Sequence, residues 1–116
     1  MRVFVAGASG NVGRTIIRTM NEYDGFELAG GWCSRSGKDL GVLAGIEPTG
    51  ITTTDNIAEG LRESSPDIVI DFSAAPVLES NMREYLNQNL NAVIGTTGLT
   101  DAQFEPYAKA VAEKGL

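Results

Sequence analysis

The sequence contains no histidine. That excludes Ser-His and Cys-His nucleophile pairs and any histidine-ligated metal, and no metal site is expected. Cysteine occurs once, at Cys33, so an intrachain disulfide is impossible. A single thiol fits a reducing compartment, and a cytoplasmic location is expected. Positive charge is scarce. Nine lysines and arginines stand against 15 aspartates and glutamates, a net charge of −6. This balance argues against binding to nucleic acid or to an anionic membrane surface. An anionic ligand would have to be held by local donors rather than by the field of the whole chain. No apolar run approaches the length of a membrane span, and no signal-peptide pattern is present.

What remains is an ordinary globular composition, 42% apolar and 21% charged, over 116 residues. That length supports one domain, residues 1–116, with a real core. Strand and helix patterns alternate along it. Arg2-Val3-Phe4-Val5-Ala6 reads as a strand buried on both faces. Val12, Ile16, Ile17 and Met20 recur at helical spacing and predict a helix to about Tyr23, closed by Asp24-Gly25. A second strand is expected over Phe26 to Trp32. Ser34 to Gly50 is rich in glycine and charge and reads as irregular, and Ile51 to Thr53 as a short strand. Asp55 is placed to cap a helix reaching about Glu63, and Ser64-Ser65-Pro66 reads as a turn.

Asp67 to Phe72 is the clearest buried strand. Pro76 suits the first position of a helix running to about Asn89. Ala92-Val93-Ile94 reads as a further buried strand ending in Gly95-Thr96-Thr97-Gly98. Thr100-Asp101-Ala102-Gln103 has the form of a capping box for a last helix, with Gly115 where a glycine would end it. The expected class is therefore α/β, a Rossmann-like doubly wound parallel sheet. Such a sheet normally continues with another buried strand. The sequence thus reads as truncated before its last strands, the front part of a longer protein or a minimal version of one.

The first strand runs straight into Gly7-Ala8-Ser9-Gly10-Asn11-Val12-Gly13, and a helix follows. Strand, glycine turn and helix bring backbone N–H groups and a helix N-terminus against a phosphate. Gly7 would permit the tight turn, Gly10 the approach of a pyrophosphate, and Gly13 close packing of helix on strand. The segment after the second strand is where an acidic residue would hold a ribose 2′-hydroxyl and select NAD. Here Cys33, Ser34, Arg35 and Lys38 stand instead, with no carboxylate before Asp39. Ser34, Arg35 and Lys38 suit a 2′-phosphate, which favours NADP over NAD. Cys33 reads as a small residue at a strand end. Trp32 either packs beside an adenine or caps the core. Asp71-Phe72-Ser73 and Gly95-Thr96-Thr97-Gly98 lie at strand carboxyl ends, where open parallel sheets bind ligands. Asp71 either serves the site or caps the next turn. No residue is assigned a catalytic role.

Val5 through Arg14, Asp39-Leu40-Gly41 with Leu43-Ala44-Gly45, Ile70-Asp71-Phe72-Ser73 and Val93 through Gly98 together resemble dihydrodipicolinate reductase, also called 4-hydroxy-tetrahydrodipicolinate reductase. The resemblance extends from Arg2 to the end of the chain. It implies a part in lysine (diaminopimelate) biosynthesis, with hydride transfer from NADPH or NADH to a cyclic dicarboxylate and a homotetrameric full-length protein. It assigns the pyrophosphate to Gly7, Ala8, Ser9, Gly10, Asn11, Val12 and Gly13, and the adenosine ribose to Cys33, Ser34 and Arg35. Phe72 and Ser73 join the cofactor site, Gly95 and Thr96 meet the nicotinamide end, and Thr97 lies near a substrate carboxylate. Cys33 stands where an acidic residue often opens the ribose site, which also favours NADP. Asn11 replaces an arginine common in the family's glycine loop. The family's second domain carries a histidine pair, a lysine and a Ser-Gly-Thr stretch, which bind substrate and supply a proton. None of these belongs to this sequence, so the resemblance is to the cofactor domain, and the chain alone is expected to be inactive.

Two other readings start from the same glycine loop. One is a stand-alone NADP-binding sensor or regulatory module without catalysis. The other is an extended short-chain dehydrogenase, whose active members need Tyr-x-x-x-Lys. Tyr23, Tyr85 and Tyr107 are followed four residues on by Glu27, Asn89 and Val111, so an active member of that class is not expected.

Overall fold

The computed structural model describes residues 1–20 and 25–95, together with Ala112 and Gly115. Among these residues, five parallel strands form one sheet. They are β1 (Arg2–Ala6), β2 (Glu27–Trp32), β3 (Thr53–Thr54), β4 (Ile68–Asp71) and β5 (Asn91–Ile94), in spatial order β3-β2-β1-β4-β5. Every pairing is parallel. Four helices connect them: α1 (Asn11–Met20), α2 (Leu40–Ala44), α3 (Ile57–Ser64) and α4 (Ala75–Asn87). Strand order reverses between β1 and β4, the point at which doubly wound sheets bind ligands.

Strand parity sorts the core into two layers. Val3 and Val5 of β1 point to one face, where they pack with Ile17 of α1 and with Leu40 and Ala44 of α2. Phe4 and Ala6 point to the other, against Leu61 of α3 and Leu78, Met82 and Tyr85 of α4. Successive side chains of a strand face opposite ways, so an apolar run with no polar alternation requires cover on both faces. The helices on both faces supply it.

Several boundaries differ from the sequence reading, each for a local reason. Residues 34–50 are not wholly irregular, because α2 lies within them. Its cap is Asp39, whose carboxylate accepts from the N–H groups of Gly41 and Val42. A five-residue helix has too few turns to show a periodic stripe. The cap of α3 is Asn56 rather than Asp55; Asn56 Oδ1 accepts from Glu59 N–H at 3.1 Å. The short third strand falls at Thr53–Thr54 instead of 51–53. Ser65 ends α3 in the left-handed region at φ 46°, within the expected turn. Pro76 is the second residue of α4 rather than its first, still within the first turn, where no intrahelical N–H is needed.

The burial expected of Ala92-Val93-Ile94 is corrected: Asn91, Ala92 and Val93 are exposed and Ile94 is half-buried. Among the described residues β5 is the edge of the sheet, so its apolar composition is not matched by cover. The expected last helix, its capping box, and the segment 96–98 lie outside the described residues. Gly115 adopts a positive φ of 74°. Among the described residues no helix is long and apolar enough to cross a membrane.

Candidate functional site

The loop between β1 and α1 is shaped by two glycines. Gly7 has φ 84°, and a β-carbon there would stand 2.5 Å from the Phe72 carbonyl oxygen. Gly13, in the first turn of α1, lies so close to the Gly7 carbonyl that a side chain would run into it. Glycine is required at both, for conformation and approach at the first and for approach at the second. The N–H groups of Gly7 and Ala8 donate to the Trp32 carbonyl at 2.9 and 3.0 Å, tying the loop to the end of β2. Gly10 N–H donates to the Gly7 carbonyl, and the Gly10 carbonyl accepts from Arg14 N–H at 3.0 Å. Gly10 is thus the residue from which α1 starts. The N–H groups of Asn11, Val12 and Gly13 are those that a helix leaves without an intrahelical acceptor. The first turn carries no acidic residue to oppose an anion.

Gly10 behaves differently from its two neighbours. A β-carbon there would meet nothing closer than the Gly7 carbonyl oxygen at 3.4 Å. Protein packing does not demand glycine at this position. The space beside it opens into a cleft of about 340 Å³ at the carboxyl ends of β1, β2 and β4. The glycine loop contributes Gly7, Ser9 and Gly10; the end of β2 contributes Trp32, Cys33 and Ser34; and Phe72 and Ser73 follow β4. Ala74 and Val77 complete the wall from the start of α4. Among the described residues, no charged side chain lines this cleft. An anion in it would be met by backbone N–H groups, hydroxyls and the positive end of α1.

Beneath the wall lies a buried polar cluster. Asp71 is fully buried. One of its carboxylate oxygens accepts from Ser73 N–H at 2.8 Å and from the Ser73 hydroxyl at 2.5 Å. The other accepts from the Tyr85 hydroxyl at 2.5 Å and from the Asn81 amide at 3.5 Å. Burial, followed by the charge and hydrogen bond of Asp71, drives the Tyr85 pKa far above the usual phenol value, so Tyr85 remains a donor. Asp71 therefore caps the turn after β4, one of its two sequence readings, and anchors that turn to α4. Phe72 sits between the anchored residues. Its carbonyl lies against Gly7, and its ring lies so close to Gly95 that a side chain there would collide with it. Gly95 N–H donates to the Asp71 carbonyl at 2.8 Å.

Of the residues singled out from sequence, Gly7, Ser9, Gly10, Cys33, Ser34, Phe72 and Ser73 share the one cleft. Ala8 is buried in the core. Asn11 is exposed and accepts from the Arg14 guanidinium at 2.8 Å. The Val12 side chain turns away from the cleft. It lines a separate apolar hollow of about 330 Å³ with Met1, Ile16, Met20 and Phe26, so only its backbone serves the loop. Gly13 is buried beneath Gly7, and Gly95 lies against the Phe72 ring. Arg35 and Lys38 are exposed and do not line the cleft. Thr96 and Thr97 lie outside the described residues. Trp32 packs on the core, one of its two sequence readings; it also lines the cleft and donates its indole N–H to the Asp55 carbonyl at 3.1 Å.

Sequence reasoning missed Ala74, Val77, Asn81 and Tyr85. The first two are small apolar residues at a helix start and carry no chemical signature. Tyr85 and Asn81 stand four residues apart on α4, a same-face spacing that marks them only once Asp71 is known to face that helix. Among the described residues, no group of three or more His, Cys, Asp or Glu side chains is gathered to hold a metal ion.

Residues 1–116 match the family model described as dihydrodipicolinate reductase, N-terminus. The 4-hydroxy-tetrahydrodipicolinate reductase of Methanocaldococcus jannaschii is 31% identical over 125 aligned positions, which cover 100% of this chain and 44% of that protein. The protein of that name from Desulfitobacterium hafniense is 36% identical, over 88% of this chain and 39% of its own length. Among solved structures, dipicolinate-bound dihydrodipicolinate reductase from Paenisporosarcina sp. TG-14 superposes with a TM-score of 0.82. It is 23% identical, over 100% of this chain and 44% of its own. The chain spans less than half the length of these relatives.

Proposed function

This chain belongs to the dihydrodipicolinate reductase N-terminal family, and on that premise we propose that it is the NAD(P)H-binding domain of a 4-hydroxy-tetrahydrodipicolinate reductase. The observation that carries this reading is the contrast at Gly10. The protein leaves room for a side chain there, yet the position opens on a cleft beside the N-terminus of α1. A pyrophosphate needs that room.

In this reading the Gly7–Gly13 loop holds the pyrophosphate through the N–H groups of Asn11, Val12 and Gly13 and the Ser9 hydroxyl. Gly7, Ala8 and Gly10, whose N–H groups donate to the Trp32 and Gly7 carbonyls, shape the loop. Cys33 and Ser34 face the adenosine ribose, with Arg35 beside its 2′-position. The absence of a carboxylate there favours NADP over NAD. Phe72 and Ser73 form the wall leading to Gly95, with Thr96 at the nicotinamide end and Thr97 toward a substrate carboxylate. The bound nicotinamide supplies a hydride. The chain binds and orients it, and the loop and wall limit access of water to one side. The substrate, a cyclic dicarboxylate of the lysine (diaminopimelate) route, would be gripped and protonated by the part of the relatives that this chain does not span. The full-length protein would be a cytoplasmic homotetramer that binds neither nucleic acid nor membrane. A sensor lacking catalysis would use the same cleft, and no observation favours it.

The test is a fluorescence titration of the purified chain with NADPH and NADH, beside Gly10→Val. Saturable binding lost in a variant that keeps its circular dichroism spectrum supports the reading. Unchanged binding by a folded Gly10→Val overturns it.

A further inference from the structure

Thr53 is a buried polar residue at the start of β3, remote in sequence from every cofactor-site residue. All four of its hydrogen-bonding groups serve one turn. Its hydroxyl donates to the Arg35 carbonyl at 2.5 Å and accepts from Lys38 N–H at 3.1 Å. Its own N–H donates to the Lys38 carbonyl at 2.8 Å, and its carbonyl accepts from Gly37 N–H at 2.9 Å. The Cys33 thiol donates to the same Arg35 carbonyl at 3.0 Å. The turn from Arg35 to Lys38, with Gly37 at φ 74°, is therefore clamped at both ends by one side chain.

The turn carries Arg35 and Lys38, the cations that the NADP reading sets at the ribose 2′-position. Both side chains are exposed, so nothing but the backbone sets where they start. Phosphate recognition by a guanidinium is directional, since its planar fork must meet two oxygens at once. A mobile turn would spend binding energy on ordering itself.

We propose that Thr53 is a positioning residue for cofactor choice: its hydroxyl fixes the Arg35–Lys38 turn so that these cations meet a ribose 2′-phosphate. Thr53 touches no cofactor and acts only through the turn. The proposal rests on the NADP reading above and goes beyond it by naming what aims the cations.

Thr53→Val keeps the shape of the side chain and its strand preference, but removes the hydroxyl. It strands the Lys38 N–H and leaves the Arg35 carbonyl to Cys33 alone. Thr53→Ser retains the hydroxyl. The measurement is the ratio of NADH to NADPH dissociation constants for the wild-type chain, Thr53→Val, Thr53→Ser and Arg35→Ala. Loss of a charge-assisted contact is worth about tenfold or more. Arg35→Ala is expected to collapse the ratio by that amount, Thr53→Val to lower it roughly three- to tenfold, and Thr53→Ser to restore it. If Arg35→Ala collapses the ratio and Thr53→Val preserves it, the positioning role is overturned while the NADP reading stands. Equal weakening of both cofactors by Thr53→Val also overturns it, because a merely structural residue would act that way. If Arg35→Ala preserves the ratio, the NADP reading fails and the proposal falls with it.

Discussion

Tyr85, on the buried, sheet-facing side of α4, donates its hydroxyl to the buried carboxylate of Asp71 at the end of β4, across 2.5 Å. Both residues lie beneath the Phe72–Ser73 wall of the cleft, and neither lines it. A hydrogen bond to a buried charge is among the stronger ones a fold contains. Tyr85→Phe keeps the ring in the core and removes only the donor. It is expected to destabilise the chain by about 1.5–3 kcal/mol in urea unfolding, with the slope unchanged.

The same pair predicts an alkaline limb of stability. The folded-state pKa of Tyr85 is raised above its ordinary 10.0. Above pH 10 the unfolded chain releases a proton that the native state retains, so stability is full below that pH and falls as pH rises beyond it. One group contributes a slope of about 1.4 kcal/mol per pH unit. Urea midpoints between pH 9 and about 11 should fall more steeply in the wild type than in Tyr85→Phe. Parallel curves would remove Tyr85 from this role.

Asp39 acts at the acid end. Backbone hydrogen bonds hold its carboxyl below the ordinary value of 3.8, the largest from Thr49 and others from Val42, Gly50 and Gly41. The unfolded chain takes up a proton first as pH falls, so the contribution is present above pH 3.8 and is lost as pH drops through the lower folded value. Asp39→Asn keeps one acceptor oxygen and removes the titration. Its acid-unfolding curve should be flatter than that of the wild type in this window. The bonds at 3.1 and 2.8 Å from the Thr49 and Gly50 N–H groups also close the segment after α2, so Asp39→Ala should raise amide exchange at both positions.

The two glycines that flank the start of α1 should separate binding from folding. Gly13→Ala pushes a methyl group into the Gly7 carbonyl and is expected to cost roughly 1–3 kcal/mol of stability. Gly10→Val sets its β-carbon against no such obstacle, at 3.4 Å from the Gly7 carbonyl oxygen. It should unfold near the wild-type urea midpoint and yet bind no dinucleotide. A reversal of the two phenotypes would mean that the cleft beside Gly10 is not the phosphate site.

Catalysis by the chain alone should be indistinguishable from background when NADPH oxidation is followed with 4-hydroxy-tetrahydrodipicolinate. A positioned acid is worth about 10²–10⁴ in rate, and among the described residues no Asp, Glu, Lys, His or Tyr side chain lines the cleft. Adding the carboxyl-terminal part of a relative, fused or in trans, should restore turnover. Robust activity without it would locate the proton donor within these 116 residues.

The sequence by itself determined the layers and the loop. Uninterrupted apolar runs at Val3–Ala6 and Ile68–Ile70 demand cover on both faces, and a strand leading directly into Gly7, Gly10 and Gly13 has few ways to turn. Those signals are local, carried by period and by residues that lack a β-carbon. Only the tertiary structure decided that Asp71 faces Tyr85 and Asn81, that Thr53 closes the turn bearing Arg35, that Val12 turns from the cleft, and that Val93 lies at an edge. Each of these depends on which strand lies beside which and on the face to which a residue's parity assigns it. A threonine or tyrosine reads alike in sequence whether its hydroxyl meets water or a buried partner. The partner comes from a segment 10 to 18 residues away, brought near by packing that neither segment encodes alone.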